Sequence, residues 1–138
     1  MKICNGRISS PFGDRIHPVL KTKKFHNGVD IACPIGTPVY TPVDAQVMKV
    51  YTHETGGLTV IIRDINNNDR YGFCHLSKAL VKEGAMIKKG TQVALSGNTG
   101  LGTGAHLHLS YSTGGYWKNR EGFNFTFQDP ASKIDFEL

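Results

Sequence analysis

The sequence is short of cysteine and has no long hydrophobic run, and each lack excludes a class of protein. Only three cysteines occur, Cys4, Cys33 and Cys74. Because their number is odd and no two form a Cys-x-x-Cys pair, neither a disulfide framework nor a cysteine-type zinc knuckle is indicated, and we expect free, buried thiols. No apolar run approaches the roughly 18 residues that a transmembrane helix needs, so no membrane span is predicted.

The chain also lacks low-complexity tracts, linker-like stretches and fixed-period repeats. Its 138 residues, 39% of them hydrophobic, suffice for one core and leave little room for a second module. We therefore predict a single domain over residues 1–138. Its core spans about residues 6–112, and residues 113–138 form an aromatic C-terminal extension. In that extension Phe123, Phe125 and Phe127 alternate as in a half-buried strand.

The composition has an excess of positive charge. A net charge of +5 and a pI near 9.2 suit a polyanionic partner such as nucleic acid, an anionic membrane surface or an acidic wall polymer. A nucleic-acid interface would show a stripe of lysine and arginine with interleaved aromatics. Here the basic residues are dispersed, apart from Lys21 to Lys24 and Lys88–Lys89. We therefore expect no nucleic-acid partner.

What the sequence does contain is a series of short, β-branched or alternating segments separated by turns. Glu54–Gly57 and Asp64–Asp69 are typical of hairpin connections between neighbouring antiparallel strands. Only Ser77–Lys82 suggests a short helical turn. Short strands at roughly ten-residue spacing predict a mainly all-β fold, a small antiparallel sheet or sandwich-like domain with little helix. The predicted strands are Thr37–Thr41, Ala45–Thr52, Leu58–Arg63, Arg70–His75, Gln92–Ser96 and His106–Tyr111.

Six histidines carry the candidate chemistry, and their positions matter more than their number. His26 and Asp30 lie four residues apart across Asn-Gly, a dipeptide that readily turns the chain. His106 and His108 flank one residue of a predicted strand, so both rings face the same side, roughly 6 to 7 Å apart along the backbone. Imidazole and carboxylate are ligands that zinc accepts, and a catalytic zinc keeps three protein ligands with one position open for water.

Each of these patterns also has an ordinary structural explanation. An isolated His-x-His in a strand is more often structural or at the surface than a metal site, and an isolated His-x-x-x-Asp is weaker evidence still. Together with His75 they place four imidazoles and one carboxylate on or beside the strands of a small β domain. Spacing alone leaves open which imidazoles bind metal. The run Gly100–Gly104 is interpreted as a loop entering the His106 strand, because a phosphate-binding loop would be followed by a helix.

Several motifs match a known pattern in the same order and over nearly the whole chain. They are Arg7–Pro18, Phe25–Ile31, His75-Leu76-Ser77, Ser96–Gly100 and Gly104–His108. These segments resemble the opening, central and closing motifs of the M23 family, the lysostaphin- or LytM-type zinc metallopeptidases. The resemblance implies the fold of that family and the activity of a peptidoglycan endopeptidase.

The resemblance also implies a role for each residue of the candidate site. The ligand set of the family corresponds to His26, Asp30 and His108, which would bind one Zn²⁺ per chain. His75 and His106 correspond to the two histidines that do not bind metal, and that orient the water and stabilise the developing oxyanion. The implied reaction is hydrolysis of peptide cross-links of bacterial peptidoglycan by a zinc-activated water.

The remaining cysteines and histidines are not assigned to the site. Cys33 and Cys74 occupy positions where the family has a small residue, so packed thiols are expected there. By strand alternation, Cys74 should face away from its neighbour His75. Neither His17 nor His53 is expected to bind metal.

Two other classes of function stay open. A degenerate member of the family would bind the wall or regulate an amidase without cleaving, but such proteins usually lack a zinc ligand, and all five positions are filled here. The domain could also be a structural component of a phage particle or a secretion apparatus that uses the peptidase to cut the wall locally.

The start of the chain bears on where the protein acts. Residues 1–7 include Lys2 and Arg7 but no apolar segment, so they do not resemble a secretory signal. A protein that acts on the wall, in the periplasm or outside the cell, would then be phage-delivered, released on lysis with the help of a holin, or part of a truncated chain. We expect a monomer and favour a phage endolysin or virion-associated lysin.

Overall fold

The computed structural model describes residues 3–10, 13–16, 23–26, 28–100, 104–113, 117–119, 122–123 and 126–128. Within these ranges the chain forms strands, turns and bends, and no helix occurs. Every strand pair is antiparallel. The predicted all-β antiparallel fold is confirmed. No helix of the described residues is long and apolar enough to cross a membrane.

The strands are numbered along the chain. They are β1 (Arg7–Ser10), β2 (Gly13–Ile16), β3 (Lys23–His26), β4 (Val29–Ala32), β5 (Pro38–Tyr40), β6 (Ala45–His53), β7 (Gly57–Asp64), β8 (Arg70–Ala79), β9 (Met86–Ile87), β10 (Gln92–Ser96), β11 (His106–Thr113), β12 (Trp117–Asn119), β13 (Gly122–Phe123) and β14 (Thr126–Gln128).

Most of these strands belong to one sheet, in the order β1-β4-β11-β8-β7-β6-β9. At its side, β10 pairs with β5 and β8, and β14 pairs with the far end of β11. Two short hairpins, β2-β3 and β12-β13, stand outside it. Because β11 lies between β4 and β8, it places residues that are distant in the sequence side by side in the sheet.

All six predicted strands are present, and the largest difference lies at β8. This strand continues past His75 to Ala79, where Lys78 and Ala79 pair with Leu95 and Ala94 of β10. The helical turn suggested for Ser77–Lys82 is therefore wrong, because the backbone of its first half is engaged in the sheet.

The predicted aromatic strand in the C-terminal extension is only partly covered by the structure. Phe123 ends β13 and Phe127 lies in β14, whereas Phe125 between them is outside the described residues.

The core lies under one face of the sheet, because alternate residues of its central strands are apolar. Burying a side chain of this size contributes about 1.5–3 kcal/mol relative to leaving it in water. The residues that face the core from β4, β11 and β8 are Val29, Ile31, Leu107, Leu109, Tyr71 and Phe73, each no more than 2% exposed. The intervening residues of the same strands point to the opposite face, which carries the candidate site.

The three cysteines are free, as expected. Cys4 and Cys33 belong to the buried core. A hydrogen bond from the Cys4 thiol lowers the pKa of Cys33 to about 6, against the opposing effect of burial, and the same contact raises the pKa of Cys4.

Candidate active site

Asp30, His106 and His108 come together through the pairing of β4 with β11. In this register Asp30 lies opposite His108, and Ala32 lies opposite His106. Nδ1 of His108 is 2.8 Å from Oδ1 of Asp30, and Nε2 of His106 is 3.8 Å from the same oxygen. The two histidines of the His-x-His motif therefore address one carboxylate from the same face of β11, as alternation predicts.

His75 reaches the same place by a different route. Between the pairs Leu58↔Leu76 and Val60↔Phe73, β8 has one residue more than β7, which makes a β-bulge. At this bulge His75 adopts a φ of 60°, in the left-handed region that a residue with a side chain rarely enters. The ring of His75 thereby lies 4.7 Å from the ring of His106 and 6.3 Å from that of His108, between centroids.

The bulge overturns the expectation for Cys74. Regular alternation would place Cys74 and His75 on opposite faces of β8. Cys74 pairs directly with His108 and lines the same cleft as that histidine. Because the left-handed residue interrupts the alternation, both Cys74 and His75 lie on the face that carries the site.

The rings of His75 and His106 are each held by a main-chain carbonyl. Nδ1 of His75 lies 2.6 Å from the carbonyl oxygen of Thr99, and Nδ1 of His106 lies 2.7 Å from that of Gly104. A carbonyl oxygen only accepts hydrogen bonds, so Nδ1 must carry the hydrogen in both rings. When either ring is neutral, its Nε2 is left with a free lone pair.

Burial affects the charge of His75. The side chain is buried, which lowers the pKa of the imidazole below its ordinary value, and the nearby His106 and His108 act in the same direction. The hydrogen bond to Thr99 opposes this shift. At neutral pH the His75 ring is therefore neutral and is able to accept a proton.

Gly28 allows the start of β4 to approach β11 beneath the site. A Cβ atom at this position would lie 2.4 Å from the carbonyl oxygen of Leu109 and 2.8 Å from Nε2 of His108. Real Cβ atoms essentially never come so close to other heavy atoms. The glycine of the His-Asn-Gly-Val-Asp motif is thus required for packing against His108.

A cavity of about 260 Å³ adjoins the site. It follows the outer face of β6, β7, β8 and β11. Glycine at position 72 leaves room for the side chain of Ser110, whose Oγ would lie 2.6 Å from a Cβ atom there. The lining of the cavity includes His108, Cys74, Ser110, Gly72, Ser112 and Arg70. His53 lines another part of it, and its Nδ1 accepts a hydrogen bond from the main-chain nitrogen of Thr55.

The described residues include one pair of side chains of the kinds that bind zinc. Carboxylate oxygen and imidazole nitrogen are both zinc ligands. Oδ1 of Asp30 and Nδ1 of His108 lie 2.8 Å apart, at hydrogen-bond distance, whereas two ligands at 2.0–2.1 Å from one tetrahedral zinc lie about 3.3 Å from each other, so binding would need a shift of about 0.5 Å. Among the described side chains, no group of three His, Cys, Asp or Glu residues is arranged to hold a metal. His26, the predicted third ligand, ends β3 opposite Gly13, and its side chain lies outside the described part of the structure, as does all of His17.

The sequence profile of Peptidase family M23 matches residues 24–120. The chain belongs to this family. The matched residues include every position of the candidate site, from His26 to His108.

Individual relatives agree with this assignment. The chain is 48% identical to the peptidoglycan DD-endopeptidase ShyA of Vibrio cholerae over 103 residues, which are 74% of this chain and 24% of ShyA. The chain spans about a quarter of the length of the curated relatives it matches.

Solved structures give the same fold. The structure of LytU is 35% identical, with a TM-score of 0.75, and the match covers 91% of this chain and 82% of that chain. A crystal structure described as a zinc containing peptidase from Vibrio cholerae is 40% identical, with a TM-score of 0.71, over 77% of this chain and 33% of that one. The fold of this chain is therefore that of the M23 peptidases.

Proposed function

We propose that this chain is a zinc-dependent endopeptidase that hydrolyses peptide cross-links of bacterial peptidoglycan. The observation that carries the proposal is the convergence of Asp30, His75, His106 and His108 beside an open cleft. Two of these residues form a donor pair that suits a metal, and two present imidazole nitrogens next to it. This is a constellation suited to metal-assisted hydrolysis of an amide.

The relatives support both the substrate and the metal. ShyA is named a peptidoglycan DD-endopeptidase, and one similar structure is described as containing zinc. We therefore assign one Zn²⁺ per chain to His26, Asp30 and His108. When bound there, the ion would polarise the peptide carbonyl and lower the pKa of a water toward about 7.

The imidazoles of His75 and His106 move the protons. Because Nδ1 of His75 and of His106 is held by a carbonyl, the free Nε2 is the atom that accepts a proton from the attacking water. A ring that has taken this proton becomes a donor at Nε2, able to stabilise the tetrahedral oxyanion or to protonate the leaving amine. Oδ1 of Asp30 lies 3.8 Å from Nε2 of His106, close to the atom that would take the proton.

The cleft suits an extended peptide. It lies across four neighbouring strands, β6, β7, β8 and β11, and the small side chains of Ser110 and Ser112 line it beside His108. Arg70 lines the end away from His108, where it is 5% exposed and its guanidinium donates to the carbonyl oxygen of Asn68.

The place of action and the route of delivery are proposed as well. We propose that the domain acts at the wall, in the periplasm or outside the cell, and that a phage delivers it as an endolysin or virion-associated lysin. The alternative, a silent module that binds the wall or regulates an amidase, is disfavoured because every position of the family's site is filled.

Digestion of purified peptidoglycan sacculi tests the activity. The protein is loaded with zinc, assayed with and without a chelator, and the released muropeptides are identified by mass spectrometry. We expect chelator-sensitive loss of cross-linked dimers, with glycan strands and stem-to-sugar bonds intact. Failure to cleave any wall chemotype, despite one bound zinc per chain, would favour the silent module instead.

A further inference from the structure

Thr99 lies in the loop between β10 and β11 and connects three segments of the fold. Its carbonyl oxygen accepts the hydrogen bond from Nδ1 of His75 at 2.6 Å. Its hydroxyl accepts a hydrogen bond from the main-chain nitrogen of Leu58 at 3.0 Å and donates one to the carbonyl oxygen of Leu76 at 2.7 Å. We name this set of contacts, between Thr99 and residues Leu58, His75 and Leu76, the Thr99 clamp.

The clamp depends on a very close approach of two loops. A Cβ atom at Gly57 would lie 2.4 Å from the carbonyl carbon of Thr99, and one at Gly100 would lie 2.4 Å from the nitrogen of Gly57. Both glycines also have positive φ, 66° at Gly57 and 77° at Gly100. The main chain of Thr99 is thus pressed against the β6-β7 turn and has little freedom to move.

His75 needs such a support, because its backbone is in an unfavourable region. A non-glycine residue in the left-handed region is strained and persists only where its surroundings fix it. The main-chain nitrogen of His75 donates to the carbonyl of Gly56 at 2.7 Å, in the same turn that Thr99 contacts. Together these bonds hold both the backbone and the ring of His75.

We infer that Thr99 is a positioning residue, whose hydroxyl fixes its own carbonyl so that His75 keeps Nδ1–H inward and presents Nε2 to the scissile peptide. This inference deepens the proposed function and rests on the proposed role of His75. Thr99 itself touches no reacting atom. It acts only through the orientation and the tautomer of the ring.

The test compares Thr99→Val with Thr99→Ser. Valine keeps the shape of threonine but removes the hydroxyl, so the carbonyl loses its anchors to Leu58 and Leu76. For Thr99→Val we expect kcat to fall about 10- to 100-fold with KM and bound zinc unchanged, because small misplacements of a catalytic group have effects of this size. Serine keeps the hydroxyl and should restore most of the rate.

Thr41→Val is a matched control for the loss of hydrogen bonds. The Thr41 hydroxyl likewise accepts from one main-chain nitrogen and donates to one carbonyl, both of Val43. Thr41 is buried in the loop after β5. Its main chain forms hydrogen bonds with the main chains of Thr91 and Gly90. Its valine variant should lose stability while keeping kcat. An equal loss of kcat in both variants would reduce Thr99 to a structural residue and overturn the inference.

Tautomer measurement by NMR gives a readout that is independent of cleavage. In protein with ¹⁵N-labelled histidine, two-bond couplings distinguish Nδ1–H from Nε2–H rings, and the signals of His75 are assigned by their loss in His75→Gln. We expect the Nδ1–H form in the wild type and a mixture in Thr99→Val. An Nε2–H form in the wild type would overturn the inference even if Thr99→Val did not fold. If the wild type cleaves no substrate, the proposed function fails, while this spectrum still decides the role of Thr99.

Discussion

Oδ1 of Asp30 and Nδ1 of His108 lie 2.8 Å apart although 78 positions separate them in the chain. The contact follows from the antiparallel register of β4 and β11, which sets the two residues directly opposite each other. Side chains at such a pair lie on the same face of the sheet. The register therefore brings a carboxylate and an imidazole from two remote motifs to hydrogen-bond distance.

Asp30→Asn should release the metal. The amide has nearly the shape of the carboxylate but no negative charge, and neutral oxygen is a poorer ligand for zinc. We expect bound zinc, measured by mass spectrometry of metals after dialysis, to fall from about one per chain to near zero, with loss of peptidoglycan cleavage. His53→Ala, which alters another histidine on the cleft, should keep its zinc. Full retention of zinc by Asp30→Asn would exclude Asp30 as a ligand.

His75→Ala and His106→Ala should separate catalysis from metal binding. Neither imidazole is assigned as a ligand, and removing one group that stabilises a developing charge commonly costs a hundredfold or more in rate. We expect turnover of sacculi to fall by about that factor with zinc content unchanged. If His106→Ala lost its zinc, the assignment of His108 rather than His106 as the ligand would be wrong.

Gly28→Ala should disturb the site from beneath. The added methyl group would meet the carbonyl of Leu109 and the ring of His108, so β4 and β11 must separate or the ring must move. Overpacking of this kind costs about 1–3 kcal/mol. We expect a lower free energy of unfolding in urea and weaker zinc binding.

Gly36→Ala is the comparison for Gly28→Ala. Gly36 has a φ of 89° and no atom within 4 Å of its Cβ position, so alanine there brings backbone strain without a clash. Its zinc affinity should match that of the wild type. Equal zinc affinities in the two variants would show that Gly28 does not support His108.

Tyr111→Phe and Tyr71→Phe should differ although the two rings stack, with centroids 5.0 Å apart. The hydroxyl of Tyr111 donates to Oδ2 of Asp69 at 2.5 Å. Losing a buried hydrogen bond to a charged group costs about 1.5–3 kcal/mol. The hydroxyl of Tyr71 is buried and has no hydrogen-bond partner among the described residues, so its removal should be neutral or stabilising. Urea denaturation measures both, and an equal cost would contradict the assignment of the bond to Tyr111.

Much of the strand pattern could be predicted, because it depends on local composition. The segments from Ala45 to Thr52 and from Leu58 to Arg63 contain β-branched residues and lie between turn residues, and they became β6 and β7 with nearly the predicted ends. The strand Val29–Ala32 was missed, since Asn-Gly before it indicated only a turn. Its identity as a strand depends on pairing with β1 and β11, which are remote in the sequence.

The sequence by itself determined the family, the antiparallel β class and the shared orientation of His106 and His108. Each of these depends on residues close together or on motifs in a recognisable order. The tertiary structure alone decided that Asp30 meets His108, that the bulge turns His75 onto the same face, and that Thr99 holds its ring. These relations come from strand register and from the packing of one loop on another. No rule of local periodicity contains them, because the contacting atoms belong to segments that only the folded sheet brings together.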